Sequence, residues 1–101
     1  MNLQRDQETL RITGVTRLSA ANAKAFRRQV RAALGPGLHN IAVDLSETSF
    51  LDSSGLAALL ALQKAASQDN HPVTVRLVNP SRPAQQLLRL ARLDRIFEIA
   101  T

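Results

Sequence analysis

The chain has 101 residues, with 13 Lys and Arg against 8 Asp and Glu, a formal net charge of +5 and no cysteine. One domain of this length can form a single core but not a deep active site with its own lid, and without cysteine it forms neither a disulfide framework nor a thiolate metal site. We therefore expect one domain over residues 1–101, with its core at about 9–99, that acts at its surface.

The sequence shows no candidate membrane or export segment. Residues 1–8 contain no apolar run of the signal-peptide type, and the longest nearly apolar run, residues 56–62, is too short to cross a bilayer. A soluble cytoplasmic protein is the expectation from this pattern.

Periodicity predicts a strand and then a helix in the first third of the chain. Thr9–Thr13 alternates polar and apolar residues, as a strand with one buried face does. Ser19 can cap a helix of about four turns that stops at Gly35-Pro36-Gly37. The basic residues of this helix lie opposite its apolar ones, a pattern typical of a solvated face rather than of a dedicated binding surface. The basic residues are Lys24, Arg27, Arg28 and Arg31, and the apolar residues are Ala23, Phe26, Val30, Ala33 and Leu34.

The remaining elements alternate between strand and helix. Residues 41–45 are almost continuously apolar, which predicts a central strand covered on both faces. With the first strand and helix included, the predicted elements follow the order β-α-β-α-β-α-β. This order implies right-handed crossovers and an α/β fold with a mostly parallel mixed sheet of four to five strands and three to four helices. The later elements are a helix from Ser53 to near Asp69 and Asn70, a strand at 73–78, a helix capped by Ser81 or Arg82 with Pro83 in its first turn, and a strand at 96–99.

The segment Asp52-Ser53-Ser54-Gly55-Leu56 is the candidate functional site. It falls where a strand gives way to an apolar helix, and unpaired backbone N–H groups at such a helix start attract anions, including a phosphate on a serine. In open α/β sheets, ligands also collect at this edge. The alternative is a plain helix cap, since Asp and Ser are good N-caps and most helices that begin in this way have no chemistry. Gly55 has two explanations, close approach of a partner or phosphate and packing against a neighbouring strand.

The body of the same helix is apolar almost all round between residues 56 and 62. A helix of this kind is buried or contacts a partner, so we expect only its N-terminus and last turns to be exposed.

Two parts of the chain carry a resemblance to a known family. Asp44-Leu45-Ser46, followed by Phe50-Leu51-Asp52-Ser53-Ser54-Gly55-Leu56, resembles the signature of STAS domains, the fold of bacterial anti-sigma factor antagonists. Residues 87–97 are similar to the family's last helix and strand, and the resemblance extends over about residues 9–99.

The resemblance implies a regulatory role for Ser53. In antagonists of this family, the Ser or Thr after the Asp is phosphorylated by an anti-sigma factor that is also a serine kinase, and here that residue is Ser53, with Ser54 as the less favoured choice. The unphosphorylated form would bind the anti-sigma factor, phosphorylation would release it, and a phosphatase would reset the cycle. The implied partner-binding residues are Asp52, Ser53, Ser54, Gly55, Leu56, Gly14 and Asp44.

One segment departs from the family pattern. Many members carry an acidic G-E-L/I-D segment after the early strand, where this chain has Gly14-Val15-Thr16-Arg17. A different partner or a different mode of recognition would follow from the loss of both acids. Related STAS proteins also serve as small subunits of lipid-transport ABC assemblies, so a scaffold without phospho-switching is the alternative function.

Other chemistries lack their motifs. The chain has no G-x-S-x-G elbow and no G-x-x-x-x-G-K loop, and neither His39 nor His71 has a spacing that suggests a base for Ser53. Asp44 and Asp52 could form a Mg²⁺ pair but fit better as a strand-end acceptor and a helix-start residue. No aromatic residues interleave with the basic ones to stack on bases. The sequence therefore predicts no enzymatic activity, no cofactor or metal, and no nucleic-acid partner. Nucleic-acid binding through the basic helix remains a third and weaker alternative.

Overall fold

The computed structural model describes residues 1–67 and 72–101 and contains a main sheet with three helices. The predicted end of the second helix at Asp69 and Asn70, and the predicted loop position of His71, lie outside the described residues. The strands are β1 (Asn2–Asp6), β2 (Thr9–Thr13), β3 (Arg17–Leu18), β4 (Asn40–Asp44), β5 (Phe50–Leu51), β6 (Thr74–Val78) and β7 (Glu98–Ala100). The helices are α1 (Ala23–Ala33), α2 (Ser53–Ser67) and α3 (Arg82–Leu90), and a 3₁₀ turn covers Leu93–Arg95.

The main sheet has five strands in the order β1-β2-β4-β6-β7. β1 runs antiparallel to β2, and the other neighbours are parallel, as helical crossovers require. The predicted α/β fold with a mostly parallel mixed sheet is therefore confirmed. β3 and β5 form a separate parallel pair, in which Arg17 lies opposite Phe50 and Leu18 opposite Leu51.

Only one face of the main sheet packs in the core. Alternate residues of β2, β4 and β6 point to the core in register, and the residues between them point to the other face. On that other face Arg11 and Arg76 flank Ala42, and both arginines are exposed. The prediction that the central strand is covered on both faces is therefore wrong. The core-facing residues of these strands are Leu10, Ile12, Ile41, Val43, Val75 and Leu77.

Helix α1 begins later than predicted. Ser19 lies in a turn before the helix, where its carbonyl accepts hydrogen bonds from the N–H groups of Asn22 and Ala23. The residue at the cap position is Asn22, so the helix has about three turns rather than four. Its end after Ala33, just before Gly35, agrees with the predicted stop signal.

Helix α3 is capped by Ser81, one of the two predicted residues. The Ser81 hydroxyl accepts a hydrogen bond from the N–H of Ala84 at 3.3 Å, and Pro83 lies in the first turn, where it needs no donor. The last strand runs from Glu98 to Ala100, so it begins two residues and ends one residue later than predicted, because the chain first makes the 3₁₀ turn.

Candidate functional site

Helix α2 starts at the candidate segment, and Asp52 is its cap. One carboxylate oxygen of Asp52 accepts a hydrogen bond from the N–H of Gly55 at 2.9 Å. The Asp52 carbonyl accepts the first helical bond, from Leu56 at 3.0 Å. Ser53 is thus the first helical residue, and the cap that sequence left open between Asp and Ser is the aspartate.

The same aspartate ties α2 to the loop before α1. Its second oxygen accepts a hydrogen bond from the N–H of Ala20 at 3.2 Å, and its own N–H donates to the carbonyl of Leu18. The N–H of Gly55 has the largest effect on the pKa of the Asp52 carboxyl and lowers it. Desolvation, the second-largest effect, opposes it, and smaller contributions from the N–H groups of Ala20 and Ser54 lower the pKa further. Asp52 therefore carries a full negative charge at neutral pH.

The lowered pKa of Asp52 predicts a pH dependence of stability. A carboxylate whose pKa is lower in the folded state stabilises that state above its unfolded pKa of about 3.9 and stops doing so as the pH falls through the folded value. Asp52→Asn keeps an acceptor for Gly55 but loses the charge and the acceptor for Ala20. We expect this variant to melt below the wild type at pH 7 and the gap to narrow at pH 3, which is below the unfolded pKa. Thermal melts at both pH values measure it, and an equal gap at both would contradict the account.

Gly55 is required by packing. A Cβ built on Gly55 would overlap the carbonyl oxygen of Leu18 and lie 2.8 Å from both the Leu18 carbonyl carbon and Cδ1 of Leu51. The first turn of α2 thus rests directly on the β3–β5 pair. Of the two explanations that the sequence left open, packing against a neighbouring strand accounts for this glycine.

Ser53 and Ser54 differ in their exposure. Ser53 is exposed, whereas Ser54 is half-buried and Leu56 is buried. Of these two serines, therefore, only Ser53 is fully exposed.

An exposed apolar strip continues from Ser53 along α2. Ala57 and Leu60 follow at intervals of four and three residues, so they lie on the same side of the helix, and both are exposed. Leu60 has 38% of its surface exposed. The expectation that only the ends of this helix are exposed is wrong, and the strip offers an apolar surface next to the serine.

A cation–π pair lies just ahead of the cap. The Arg17 guanidinium lies 5.5 Å from the centre of the Phe50 ring, and Phe50 is 48% exposed. Val15, the other position where the acidic family segment is absent, is buried in the core. The sequence did not reveal this pair, because it depends on the register of two two-residue strands.

Thr48 is a buried residue that sequence reasoning missed. Its hydroxyl donates to the carbonyl of Val15 at 2.5 Å, and its carbonyl accepts from the hydroxyl of Ser81 at 2.5 Å. Ser49 adds a backbone bond to Thr16 at 2.9 Å. These bonds fasten the loop before the site to two other loops; a threonine in a polar loop gives no sequence signal for such a role.

Thr48→Val should lower the free energy of unfolding by about 2 kcal/mol, because it leaves the buried carbonyl of Val15 without its donor. Urea denaturation followed by circular dichroism measures the change. Ser49→Ala is the matched control, since it removes an exposed hydroxyl from Thr16 while the Ser49 N–H still donates there. A Thr48→Val protein as stable as this control would contradict the proposed role.

The other two predicted partner-binding residues, Asp44 and Gly14, have local structural roles. Asp44 accepts a hydrogen bond from the N–H of Ser46 at 2.8 Å and so closes the turn after β4. Gly14 has a positive φ of 69° and lies against Met1. The described hydrogen bonds of Asp44 and Asp52 go to different backbone groups, which fits the structural roles that the sequence favoured over a Mg²⁺ pair.

The described part of the chain lacks two further features. No helix there is long and apolar enough to cross a membrane. Residues 1–67 and 72–101 also contain no group of three or more His, Cys, Asp or Glu side chains placed to hold a metal ion.

The chain is similar to known proteins in both sequence and fold. Residues 1–99 match the family model described as "Mlab, STAS domain". The fold is similar to that of TM1081 from Thermotoga maritima, provisionally classed as an anti-sigma factor antagonist, with a TM-score of 0.88 and 24% identity over 99% of this chain and 85% of that one.

Two further structures have a similar fold. The anti-sigma factor antagonist SpoIIAA, in its unphosphorylated form, gives a TM-score of 0.76 and 22% identity over 99% of this chain and 87% of that one. The murine anion transporter Slc26a9, in an inward-facing state, gives a TM-score of 0.74 and 25% identity over 91% of this chain but only 15% of the transporter.

Proposed function

The chain belongs to the STAS domain family, and on this premise we propose that it is an anti-sigma factor antagonist controlled by phosphorylation of Ser53. In its unphosphorylated form it binds an anti-sigma factor that is also a serine kinase, and so frees a sigma factor. Phosphorylation releases the anti-sigma factor, and a phosphatase restores the binding form. The circuit operates in the bacterial cytoplasm and regulates transcription.

The exposure of Ser53 carries this proposal. Its neighbours Asp52 and Gly55 are occupied in fastening α2 to β3 and to the loop that follows it, whereas the Ser53 side chain is exposed. A kinase can reach this hydroxyl without disturbing the contacts of the cap. The half-buried Ser54 is the less favourable substrate.

The charge of the phosphate supplies the switch. A phosphoserine adds about −1.5 to −2 charge at neutral pH. At Ser53 that charge would stand beside the ionised Asp52 and at the end of the exposed strip formed by Ala57 and Leu60. The positive end of the α2 dipole favours the phosphate in the isolated chain. A partner packed on the strip would have to desolvate it, so the modification acts at the interface.

The contact surface that we propose differs in detail from the one implied by sequence. We retain the segment 52–56 as part of this surface. Within it, Gly55 and Leu56 are buried, so Ser53 is the residue that contacts the partner. The exposed residues Phe50, Ala57 and Leu60 extend the surface. Asp44 and Gly14 belong to it only if the partner also covers the neighbouring loops.

Phosphate transfer to Ser53 is the direct test. The chain is incubated with ATP and the serine kinases encoded near it, and intact mass and peptide mapping report the modification. We expect one phosphate on Ser53 in the wild type and none in Ser53→Ala. No phosphate with any of these kinases would contradict the proposal, and a phosphate on Ser54 would show that the motif was assigned one residue too early.

A scaffold subunit of a larger assembly is the alternative function. The similarity to one part of the Slc26a9 transporter supports it, because there the same fold belongs to a membrane transport protein. A scaffold of this kind, for example in a lipid-transport ABC assembly, would copurify with an ATPase. That complex would be unaffected by Ser53→Asp, whereas the switch requires sensitivity to this substitution. In neither function does this domain catalyse a reaction or need a cofactor.

A further inference from the structure

Helix α1 presents four basic side chains on one exposed side. Lys24, Arg27, Arg28 and Arg31 follow at helical spacing and span about 10 Å along the helix. All four are exposed, and together they line a shallow groove. We call this surface the basic face of α1.

The four positive charges of the basic face repel one another. Lys24 and Arg28, and likewise Arg27 and Arg31, are like charges four residues apart, an arrangement that destabilises a helix. The first turn of α1 contains no acidic residue. Within residues 1–67 and 72–101 the carboxylates found close to a basic side chain are those of Glu8, 3.9 Å from His39, and Glu98, 3.1 Å from Arg76, so this part of the chain supplies no carboxylate to the basic face. Negative charge from outside would relieve the repulsion.

The basic face borders the exposed strip of α2. Helices α1 and α2 pack side by side, and Arg27 and Arg31 line one side of the cleft between them. Ala61, one turn beyond Ala57 on α2, lines the other side, and Leu60 is exposed next to it. The surface therefore combines an apolar strip with a row of cations, as protein interfaces combine an apolar centre with a charged rim.

We propose that the basic face and the α2 strip together dock an acidic segment of a protein partner, namely an amphipathic helix with carboxylates beside its apolar stripe. Arginine suits this partner, because its guanidinium binds carboxylates through paired hydrogen bonds. The claim that this partner is also the one released by phosphorylation of Ser53 rests on the proposed function. The claim that an acidic helix docks on this surface does not.

Two other occupants fit the surface less well. The apolar residues Phe26 and Val30 of α1 are buried in the core, so this helix has no apolar side left to insert into a bilayer. No aromatic side chain among the residues lining the groove is available to stack on nucleic-acid bases. An acidic protein uses both the cations and the apolar strip.

A synthetic helical peptide of about 20 residues, with leucines on one side and glutamates beside them, is the probe. Its affinity is measured by calorimetry for the wild type and for Arg27→Gln/Arg31→Gln. The matched control, Arg89→Gln/Arg95→Gln, removes the same charge from other exposed positions. We expect binding to weaken at least about tenfold in the first variant and to stay within about twofold in the control.

Three outcomes would overturn the proposal: no binding of the peptide by the wild type, equal weakening in both variants, or unchanged binding when glutamine replaces glutamate in the peptide. The wild type could instead bind vesicles containing phosphatidylserine, or duplex DNA, more tightly than it binds the peptide. If that binding is lost in Arg27→Gln/Arg31→Gln but not in the control, the surface belongs to a lipid or nucleic-acid partner. All measurements use the unphosphorylated chain without a kinase, so their failure leaves the role of Ser53 untouched.

Discussion

Gly55→Ala is expected to lower the free energy of unfolding by about 3 kcal/mol, the upper end of the usual cost of overpacking. The added methyl group would overlap the carbonyl oxygen of Leu18, which is backbone and cannot turn aside. Helix α2 must then move away from the β3–β5 pair, and the hydrogen bond between Asp52 and Ala20 is stretched. At a helical position with open space around it, Gly→Ala would raise the free energy of unfolding by up to about 1 kcal/mol. The sign of the change in this free energy therefore tests whether Gly55 is closely packed.

Urea denaturation of Gly55→Ala, with Gly35→Ala as the matched control, measures this effect. At Gly35 the new methyl group would meet only the Arg5 side chain, at an ordinary 3.7 Å. We expect the control to stay within about 0.5 kcal/mol of the wild type. A Gly55→Ala protein as stable as the control would mean that the close approach of α2 to Leu18 is not present in solution.

Ser53→Asp is expected to weaken partner binding about 100-fold, equivalent to about 2.7 kcal/mol. A second carboxylate beside ionised Asp52 places like charges together at the start of the exposed strip, and a partner packed there must desolvate both. Ser53→Ala adds no charge and should bind within about threefold of the wild type. Surface plasmon resonance against the anti-sigma factor proposed as the partner measures both variants.

Ser67→Asp is the matched control for charge. Ser67 is exposed on the same helix, about 20 Å from Ser53, so the variant has the same net charge without altering the cap. We expect it to bind within about threefold of the wild type. If it loses as much affinity as Ser53→Asp, the effect is one of general charge, and a switch at Ser53 is not supported.

The elements with a periodic apolar pattern were predictable, and those without one were not. β1 has only one half-buried apolar residue, Leu3, because it is an edge strand held to β2 by its backbone. The turn that joins the two strands puts Gln7 at a φ of 56°, and neither Gln7 nor Glu8 gives the glycine or asparagine signal of a hairpin. The sequence therefore contains almost no local signal for this strand.

The prediction that both faces of β4 are buried failed because of one small residue. Ala42 makes residues 41–43 look apolar on both sides of the strand, but its neighbours in the sheet are Arg11 and Arg76. Both arginines lie on other strands, so only the register between strands reveals that this face of the sheet is open. Periodicity within one strand cannot contain that information.

The location of the candidate site was predictable from the chain, but its construction was not. The change from strand to apolar helix at Asp52 marked the helix start correctly. The reason for Gly55 lies at Leu18, and the second bond of Asp52 goes to Ala20, both more than thirty residues away. Contacts of this range follow from the packing of α2 on β3 and have no local sequence signal.

The affinity of the chain carrying phosphoserine at position 53 is the most direct test of the proposed switch. The modified residue can be inserted during synthesis, so the phosphate itself is compared with the unmodified serine against the same anti-sigma factor. The account predicts tight binding of the unmodified chain and binding at least about 100-fold weaker with phosphoserine. Equal affinity of the two forms would contradict it and would favour a scaffold whose contacts do not depend on Ser53.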